Sequence, residues 1–214
     1  MVRPGRLMVS RMLNFLRTME GQGVYQIPYP FKLDAKWWLR FLPEFNGIAM
    51  FPPEQWESPD TVFATDACLQ ACGGVCGDQY FHEMFPQPIL DASNSINGLE
   101  LCAVMVAIKL WGPRFRGRRV KIFCDNLVSV MVLNTNRTRV EFMQDCLREI
   151  LFVAAVYEFE IRAVHLASKE NRLPDLLSRW HLGHEFRSEF HKLSKPSMYR
   201  VRIDPNMFEF LNVW

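Results

Sequence analysis

The sequence predicts an α/β fold with a mixed five-stranded sheet flanked by helices and a small helical appendage at the N terminus. Five segments have the alternating or continuously apolar pattern of β-strands. Three of them follow one another closely in the sequence, and segments with a helical pattern separate the other two. Closely spaced strands indicate an antiparallel meander, whereas strands joined through helices need crossover connections and become parallel neighbours. The predicted order is therefore β-β-β-α-β-α-α-β-α.

Composition indicates the size and the setting of the protein. The 214 residues are 49% hydrophobic, which suffices for one domain with an appendage. A formal charge of only +2 means that any surface for nucleic acid must come from local patches. No run of about 18 apolar residues occurs, and arginines interrupt the apolar N-terminal stretch. We therefore predict an intracellular protein of the cytoplasm or nucleus, without a membrane partner.

Two amphipathic helices are predicted in the appendage. Residues 7–19 carry apolar side chains at helical spacing, namely Met8, Met12, Phe15, Leu16 and Met19. Asp34 is placed to cap a short helix that carries Trp37, Trp38, Phe41 and Leu42. These aromatic residues and Phe45 are too apolar to remain in water, so we expect this region to dock on the main domain or on a missing polymerase partner.

A proline-rich segment, FPPEQWESPD at 51–60, indicates a linker between the appendage and the main domain. The chain then divides into a helical connection segment at 1–57, a main domain at 58–182 and a C-terminal tail at 183–214.

The main domain shows its elements in order. Strands are predicted at 61–68, 71–77 and 79–85, followed by an irregular loop through Ser95. A helix follows whose apolar face comprises Leu101, Val104, Met105, Ile108 and Trp111, and Gly112-Pro113 ends it. Further on, we predict a buried strand at 120–125, helices at 127–133 and 140–157, a strand at 159–166 and a final helix after Asn171.

Cysteines and histidines do not form a strong metal motif. The six cysteines lack CxxC pairs, and their positions favour reduced packing residues over disulfides or zinc ligands. His181, His184 and His191 fit a solvated tail helix better than a metal cluster.

Four acidic residues lie at structured positions: Asp66, Glu100, Asp125 and Asp175. Asp66 lies inside the strand VFATDAC, where an uncompensated carboxylate costs several kcal/mol or raises its own pKa. The other three have structural alternatives. Glu100 fits a capping box with Asn97, Asp125 with Asn126 fits a helix cap, and Asp175 suits the positive end of a helix dipole.

Convergence favours a metal site over these alternatives. If the strands of Asp66 and Asp125 are parallel neighbours, both carboxylates lie at one end of the sheet, where the two helices can add Glu100 and Asp175. Four acids in one place repel unless cations bind, and oxygen ligands favour Mg²⁺ or Mn²⁺. Two such ions roughly 4 Å apart support displacement at phosphorus, which is nuclease chemistry.

Four blocks carry a family resemblance: TDAC at 65–68, LELCAV at 99–104, FCDN at 123–126 and HLASKENRLPDLLSRW at 165–180. They resemble the ribonuclease H domain of retroelement reverse transcriptases, over about residues 61–182. The preceding FKLDAKWWLRFLPEFNGIAM is similar to the connecting segment of DIRS-like elements, so the resemblance is to DIRS-like or gypsy-like retrotransposons.

The resemblance implies a ribonuclease H-like fold that binds two Mg²⁺ ions, with Mn²⁺ as a substitute, and hydrolyses the RNA strand of an RNA/DNA hybrid. By its motifs, Asp66 would bridge both ions, Asp125 would hold the ion that carries the water, and Glu100 and Asp175 would complete the shell. Two departures are Pro174 before Asp175 and the lack of a histidine in the loop before the last helix. His165 belongs to the preceding strand and is assigned a structural role.

A binding surface for the hybrid is predicted beside the acids. The loop NTNRTR offers Asn134, Asn136, Arg137 and Arg139 to phosphates and 2′-hydroxyls, and Asn126 and Arg179 adjoin the acids in the matched blocks. A denser patch comprises Arg114, Arg116, Arg118, Arg119 and Lys121. It lies at the opposite pole of a parallel unit, so phosphate contact and simple solubility stay equally open.

Alternatives to a nuclease remain open. The chain lacks an Asp-Asp dipeptide of the polymerase type and is not a whole reverse transcriptase, but a domesticated or truncated module could bind nucleic acid or a protein without cutting. An integrase, transposase or resolvase could share the fold. His184, Arg187 and Tyr199 mimic part of a tyrosine recombinase, but the tail is too short for that domain.

Overall fold

The structure, a computed structural model, describes residues 3–44, 59–93 and 95–210. Its centre is a mixed six-stranded sheet in the order β5-β4-β1-β2-β3-β6. The strands are β1 (Thr61–Ala67), β2 (Ala71–Cys76), β3 (Gln79–Met84), β4 (Arg119–Cys124), β5 (Glu160–His165) and β6 (Tyr199–Arg200).

Strand directions follow the connections. The short turns make β1, β2 and β3 an antiparallel meander, and the helical crossovers make β4 parallel to β1 and β5 parallel to β4. The five predicted strands are confirmed to within a residue or two at each end. The sixth strand, β6, was not predicted, because its two residues pair with β3 but are too few to show an alternation.

Helices flank the sheet. They are α1 (Ser10–Leu16), α2 (Tyr29–Phe41), α3 (Gln87–Ala92), α4 (Ile96–Trp111), α5 (Leu127–Thr135), α6 (Glu141–Val156), α7 (Arg172–Ser178) and α8 (His184–Leu193). The predicted helices of the main domain are confirmed. The loop expected before Ser95 contains α3, which starts with a proline in its first turn.

The central helix α4 lies between the sheet and α6 and is buried without interruption from Gly98 to Ile108. This burial explains its uniform apolarity. The stretch Ile96–Phe115, of mean hydropathy 1.3, is the one helix of the described residues long and apolar enough to cross a membrane, and 72% of it is buried in the protein. It therefore has the character of a core helix.

A second apolar cluster covers part of the opposite face. Leu176 and Leu177 of α7 pack with Tyr80 of β3 and with Phe190 of α8. The tail helix α8 was predicted to be solvated, but Phe190 is fully buried. The tail is thereby attached to the main domain through α7.

The N-terminal appendage docks on α6 within this chain. Leu7, Met8, Trp37 and Phe41 belong to the same apolar core as the sheet, and the 3₁₀ helix Arg3–Val9 contacts α6. Internal docking is thus the arrangement observed for the described part of the appendage. Phe45 and most of the predicted linker lie outside the described residues.

Asp34 was expected to cap its own helix, and that interpretation is wrong. The helix α2 begins at Tyr29, so Asp34 lies in its middle and is buried. Its Oδ2 accepts hydrogen bonds from the backbone N–H groups of Arg11, at 2.9 Å, and Met12, at 3.4 Å. Asp34 therefore satisfies the first turn of α1, because a capping side chain can come from another element.

A buried ion pair completes this docking. Arg148 Nη2 of α6 lies 3.7 Å from Asp34 Oδ1, and both side chains are fully buried. Burial raises the pKa of Asp34, while the Arg148 charge and the backbone donors oppose that shift. The pair links α2 to α6, with Arg11 as a second partner of Asp34 and Asp145 as a second partner of Arg148.

Candidate metal-binding acidic site

Asp66 and Asp125 lie at the same end of the sheet. In the parallel pair of β1 and β4, Ala64 is level with Phe123, so two residues further along Asp66 is level with Asp125. The sequence-based expectation that these strands are parallel neighbours is confirmed. Their carboxyl ends bring the two acidic residues together.

Glu100 comes from the first turns of α4. The alternative of a capping box with Asn97 is wrong, because the N-cap is Ser95, two residues before Asn97, and Ser95 Oγ accepts from the backbone N–H of Gly98. Asn97 instead accepts from Asn126 Nδ2. Glu100 is only 4% exposed and accepts a hydrogen bond from the backbone N–H of Ala67. Its position is therefore not explained by helix capping.

Asp125 does not act as a helix cap either. Asn126 caps α5, accepting from the backbone N–H of Ser129 at 2.9 Å. His165 Nε2 lies 3.1 Å from the Asp125 carbonyl oxygen, and this contact holds the turn after β4. This contact agrees with the structural role assigned to His165. The half-buried carboxylate of Asp125 remains available at the strand end.

Asp175 is held by two arginines. Arg172 Nη1 lies 2.9 Å from Asp175 Oδ2, and Arg179 Nε lies 2.9 Å from Asp175 Oδ1. Arg172 also pairs with Glu189 of α8 at 2.7 Å. A cation that binds Asp175 must therefore compete with these partners.

A close contact between α7 and the sheet brings Asp175 near Asp66. Gly73 pairs with Asp66 in β1 and β2, and a Cβ atom at Gly73 would lie 2.8 Å from the carbonyl carbon of Leu177. Any larger residue would push α7 outward. The absence of a side chain at Gly73 therefore allows the last acidic residue to reach the site.

Ser178 is the immediate partner of Asp66. Its fully buried Oγ lies 2.5 Å from Asp66 Oδ2 and 3.0 Å from the Asp175 carbonyl oxygen. Asn171, also buried, donates from Nδ2 to the Thr65 carbonyl oxygen at 2.9 Å. Together, these two bonds fasten both ends of α7 to β1.

The electrostatic state of the site reflects burial and crowding. Burial, followed by the charges of Asp125 and Asp175, raises the pKa of Asp66 to about 7, although the Ser178 hydroxyl and Arg179 oppose the shift. Burial, followed by the charges of Asp66 and Asp125, raises the pKa of Glu100 to about 9. Asp66 thus interacts electrostatically with Asp125 and Asp175, and Glu100 interacts with Asp66 and Asp125.

The donor set fits a hard divalent cation. Carboxylate oxygens dominate the site, and two of the carboxyl groups favour their neutral forms in the absence of positive charge. Oxygens of Glu100 and Asp125, together with Cys124 Sγ, lie within 4.8 Å of one another. The residues present could therefore hold Mg²⁺ or Mn²⁺ at this end of the sheet.

The predicted nucleic-acid ligands differ in their availability. Arg137 and Arg139 are exposed between α5 and α6. Asn134 is engaged with β5, accepting from the Ala163 N–H at 2.9 Å and donating to the Ala163 carbonyl oxygen at 2.8 Å. Asn136 ends α5 with a left-handed φ of 54°. The structure thus gives the two asparagines local roles and leaves the two arginines at the surface.

The second basic patch lies at the far end of the sheet from Asp66. Arg118 donates to Thr61 Oγ1, and Arg119 pairs with Asp60, where β1 and β4 begin. Arg114 donates to Gln79 Oε1. Several of these arginines therefore bind the protein itself, and the patch does not border the acidic site.

Three residues around the site were not identified from the sequence: Asn171, Ser178 and Cys124. The only signal for Ser178 was its position three residues after Asp175, which places both on one face of a helix. All six cysteines are free, and five of them are buried. The histidines of the tail do not gather, because His181 contacts Gln70 and His184 contacts Ser188.

Comparison with known proteins adds no family assignment. No protein-family model matches the sequence, and no curated protein matches it. The functional interpretation therefore depends on the residues and geometry described above.

Proposed function

We propose that this chain is a metal-dependent endonuclease that hydrolyses the RNA strand of RNA/DNA hybrids, on a ribonuclease H-like fold derived from a retrotransposon reverse transcriptase. The observation that carries the proposal is the parallel register that sets Asp66 level with Asp125. Glu100 interacts electrostatically with both of these residues, and Asp175 interacts with Asp66.

The topology supports the finer fold assignment. An antiparallel meander of β1, β2 and β3, followed by parallel β4 and β5, is the mixed sheet that the sequence resemblance implies. The acidic residues come from two strand ends and two helices, as the four sequence blocks require. Element order and residue placement therefore support the same proposal independently.

The residues of the site divide their roles by environment. Asp66, with one oxygen held by Ser178, presents its carboxyl group between Asp125 and Asp175. Asp125 is less buried than Asp66, so we assign it to the side from which substrate approaches. Bound Mg²⁺ ions would supply an activated water and compensate charge at the scissile phosphate. Because burial and neighbouring charges raise the pKa values of Asp66 and Glu100 when no cation is bound, cation binding is coupled to release of their protons.

Hybrid binding is assigned to the surface beside α5. The helix α5 starts next to Asp125 and rises about 13 Å along its nine residues, so Arg137 lies roughly that far from the acidic end. Exposed arginines at this distance suit phosphates of the strand that is not cut. Arg179 lies closer, half exposed beside Asp175.

A second candidate function is a module that binds nucleic acid without cutting. The ion pairs of Asp175 with Arg172 and Arg179 favour it, because they occupy both carboxylate oxygens. In this alternative, α7 supplies a basic and acidic surface for binding, and the cluster at Asp66 is a remnant.

A cleavage assay separates the two functions. The full chain is incubated with labelled RNA/DNA hybrid, duplex RNA and duplex DNA, each with and without Mg²⁺. We expect cleavage of the RNA strand of the hybrid with Mg²⁺ only. Asp125→Asn should lower the rate by about 100-fold or more, since a cation ligand supplies several kcal/mol.

The matched control is Asp60→Asn, which neutralises an exposed acidic residue at the far end of the sheet. It should cut as the unmodified chain does. Equal cleavage of duplex DNA would reject hybrid specificity, and hybrid binding without any cleavage would favour the non-cutting module.

A further inference from the structure

Cys124 lies against one carboxylate of the acidic site. It is the last residue of β4, fully buried, and its Sγ is 3.9 Å from Glu100 Oε2. Taken with Asp125, one ligand atom from each of the three residues lies within 4.8 Å of the other two. The cluster therefore combines a sulfur donor with two oxygen donors.

The spacing suits a cation with short, tetrahedral bonds. A zinc–sulfur bond of about 2.3 Å and a zinc–oxygen bond of about 2.1 Å place the two donor atoms about 3.6 Å apart at the tetrahedral angle. The observed separation of 3.9 Å requires a shift of only a few tenths of an ångström. Three protein ligands would leave a fourth position open, as in zinc sites that bind a small molecule or water.

Backbone groups already orient two of the donors. The N–H of Asn126 donates to Cys124 Sγ at 3.4 Å, and the N–H of Ala67 donates to the Glu100 carboxyl group. Such outer contacts hold metal ligands in place and favour their charged forms. The thiol can donate its one hydrogen to Glu100 Oε2 or to the Asn126 carbonyl oxygen, each 3.9 Å away, and a cation bound between Cys124 and Glu100 would replace that hydrogen.

We propose that Glu100, Cys124 and Asp125 form a binding site for one thiophilic divalent cation of the zinc class. Sulfur is a poor ligand for Mg²⁺, so this site selects a softer metal than the one assigned to the nuclease reaction. The two sites share Glu100 and Asp125. A zinc-class cation therefore excludes the hard cations from these carboxylates. The binding of the zinc-class cation does not depend on the proposed nuclease activity, whereas its competition with Mg²⁺ rests on that proposal.

The test is a titration of the reduced 214-residue chain with Cd²⁺, followed by the ultraviolet sulfur-to-cadmium charge-transfer band. One equivalent should develop the band in the unmodified chain. Cys124→Ser should remove the band. The matched control is Cys76→Ser, which changes a buried cysteine at the end of β2 away from the acidic site and should retain the band. A band that survives Cys124→Ser, or no band in the unmodified chain, would overturn the proposal.

A second variant keeps the test valid if Cys124→Ser does not fold. Glu100→Gln keeps all six thiols and should weaken Cd²⁺ binding by at least about tenfold, as loss of supporting ligand interactions does; unchanged affinity would overturn the proposal. Excess Mg²⁺ should also weaken Cd²⁺ binding. If Mg²⁺ has no effect while Cys124→Ser removes the band, the thiophilic site stands and the proposed magnesium site fails.

Discussion

Ser178 Oγ lies 2.5 Å from Asp66 Oδ2, which joins the end of α7 to the end of β1 at the acidic site. The hydroxyl has one proton to donate, and the Asp175 carbonyl oxygen competes for it at 3.0 Å. Donation to Asp66 stabilises the ionised carboxylate, so this bond opposes the burial that raises the pKa of Asp66.

Ser178→Ala should therefore raise the pKa of Asp66 further and weaken Mg²⁺ binding. The loss of one hydrogen bond to a charged group corresponds to about 1.5–3 kcal/mol for the ionised form. Isothermal titration calorimetry at several pH values gives the Mg²⁺ affinity as a function of pH. We expect the midpoint of this curve to lie at higher pH than in the unmodified chain. Ser188→Ala on the exposed side of α8 is the control and should leave the midpoint unchanged.

Asp66→Asn should leave the metal-free protein equally stable or make it more stable at pH 8. At that pH the carboxylate is crowded by Asp125 and Asp175, and a neutral amide relieves about 1 kcal/mol of repulsion. The amide oxygen can still accept from Ser178. Thermal unfolding in a chelator measures this change, with Asp60→Asn as control; a clear loss of stability would mean that Asp66 is a structural acid.

Metal-free stability should fall as pH rises from about 4 to 9. The folded-state pKa values of Asp66, about 7, and Glu100, about 9, exceed those of the unfolded chain, so the folded state holds extra protons in this interval. The stabilisation is complete below the unfolded pKa values and is lost as pH passes through the folded ones. The change should be at least about 1.4 kcal/mol, the equivalent of one pKa unit.

Chemical unfolding at several pH values measures this effect. The double variant Asp66→Asn with Glu100→Gln should flatten the profile, because it removes both titrating groups. Added Mg²⁺ should stabilise the unmodified chain most at high pH, where the carboxylates are ionised. A profile that is equally steep in the double variant would assign the pH dependence to other residues.

Arg137→Ala with Arg139→Ala should weaken hybrid binding and lower its salt slope by up to about two units, since each lost phosphate contact removes roughly one released counterion. Fluorescence anisotropy over a range of salt concentrations provides the slope. The control pair, Arg114→Ala with Arg116→Ala, removes the same charge at the far end of the sheet. If the two double variants change the salt slope equally, the hybrid does not bind specifically to the surface beside α5.

Asp34→Ala should destabilise the full chain by about 3 kcal/mol, the lower end of the range for breaking a buried pair, because Arg148 loses its fully buried partner but retains the half-buried Asp145 at 3.4 Å. It also removes the acceptor for the first turn of α1. Limited proteolysis should release the N-terminal region faster than in the unmodified chain. Asp91→Ala, at an exposed position on α3, should cost little; unchanged proteolysis of the Asp34 variant would reject the ion pair as the docking contact.

Periodicity predicted most of the sheet and the main helices because each buries one continuous face. The same signal failed for β6, which is two residues long, and for α3, whose six residues are too few for a repeat. Asp34 was assigned to the wrong helix because the sequence shows that its carboxylate can accept hydrogen bonds but not which helix N terminus donates them.

The position of Asp66 and Asp125 at one end of the sheet was predictable because parallel strands end together. The partners that tune them were not. Arg172 and Arg179 pair with Asp175 at i,i+3 and i,i+4 spacing along α7, whereas the contact of Ser178 with Asp66 depends on the packing of α7 on Gly73. Cys124 was counted as a packing residue, since no spacing pattern places a single thiol beside Glu100.

The pairing of Asp34 with Arg148 also has a consequence for biosynthesis. The two residues lie 148 − 34 = 114 positions apart, so the first two helices leave the ribosome long before α6 is made. During that interval Trp37 and Phe41 lack the core of the main domain, to which they belong in the folded protein, and contacts of such high sequence separation form late. A chain whose translation is arrested before α6 should accordingly be a better substrate for chaperones than the finished protein.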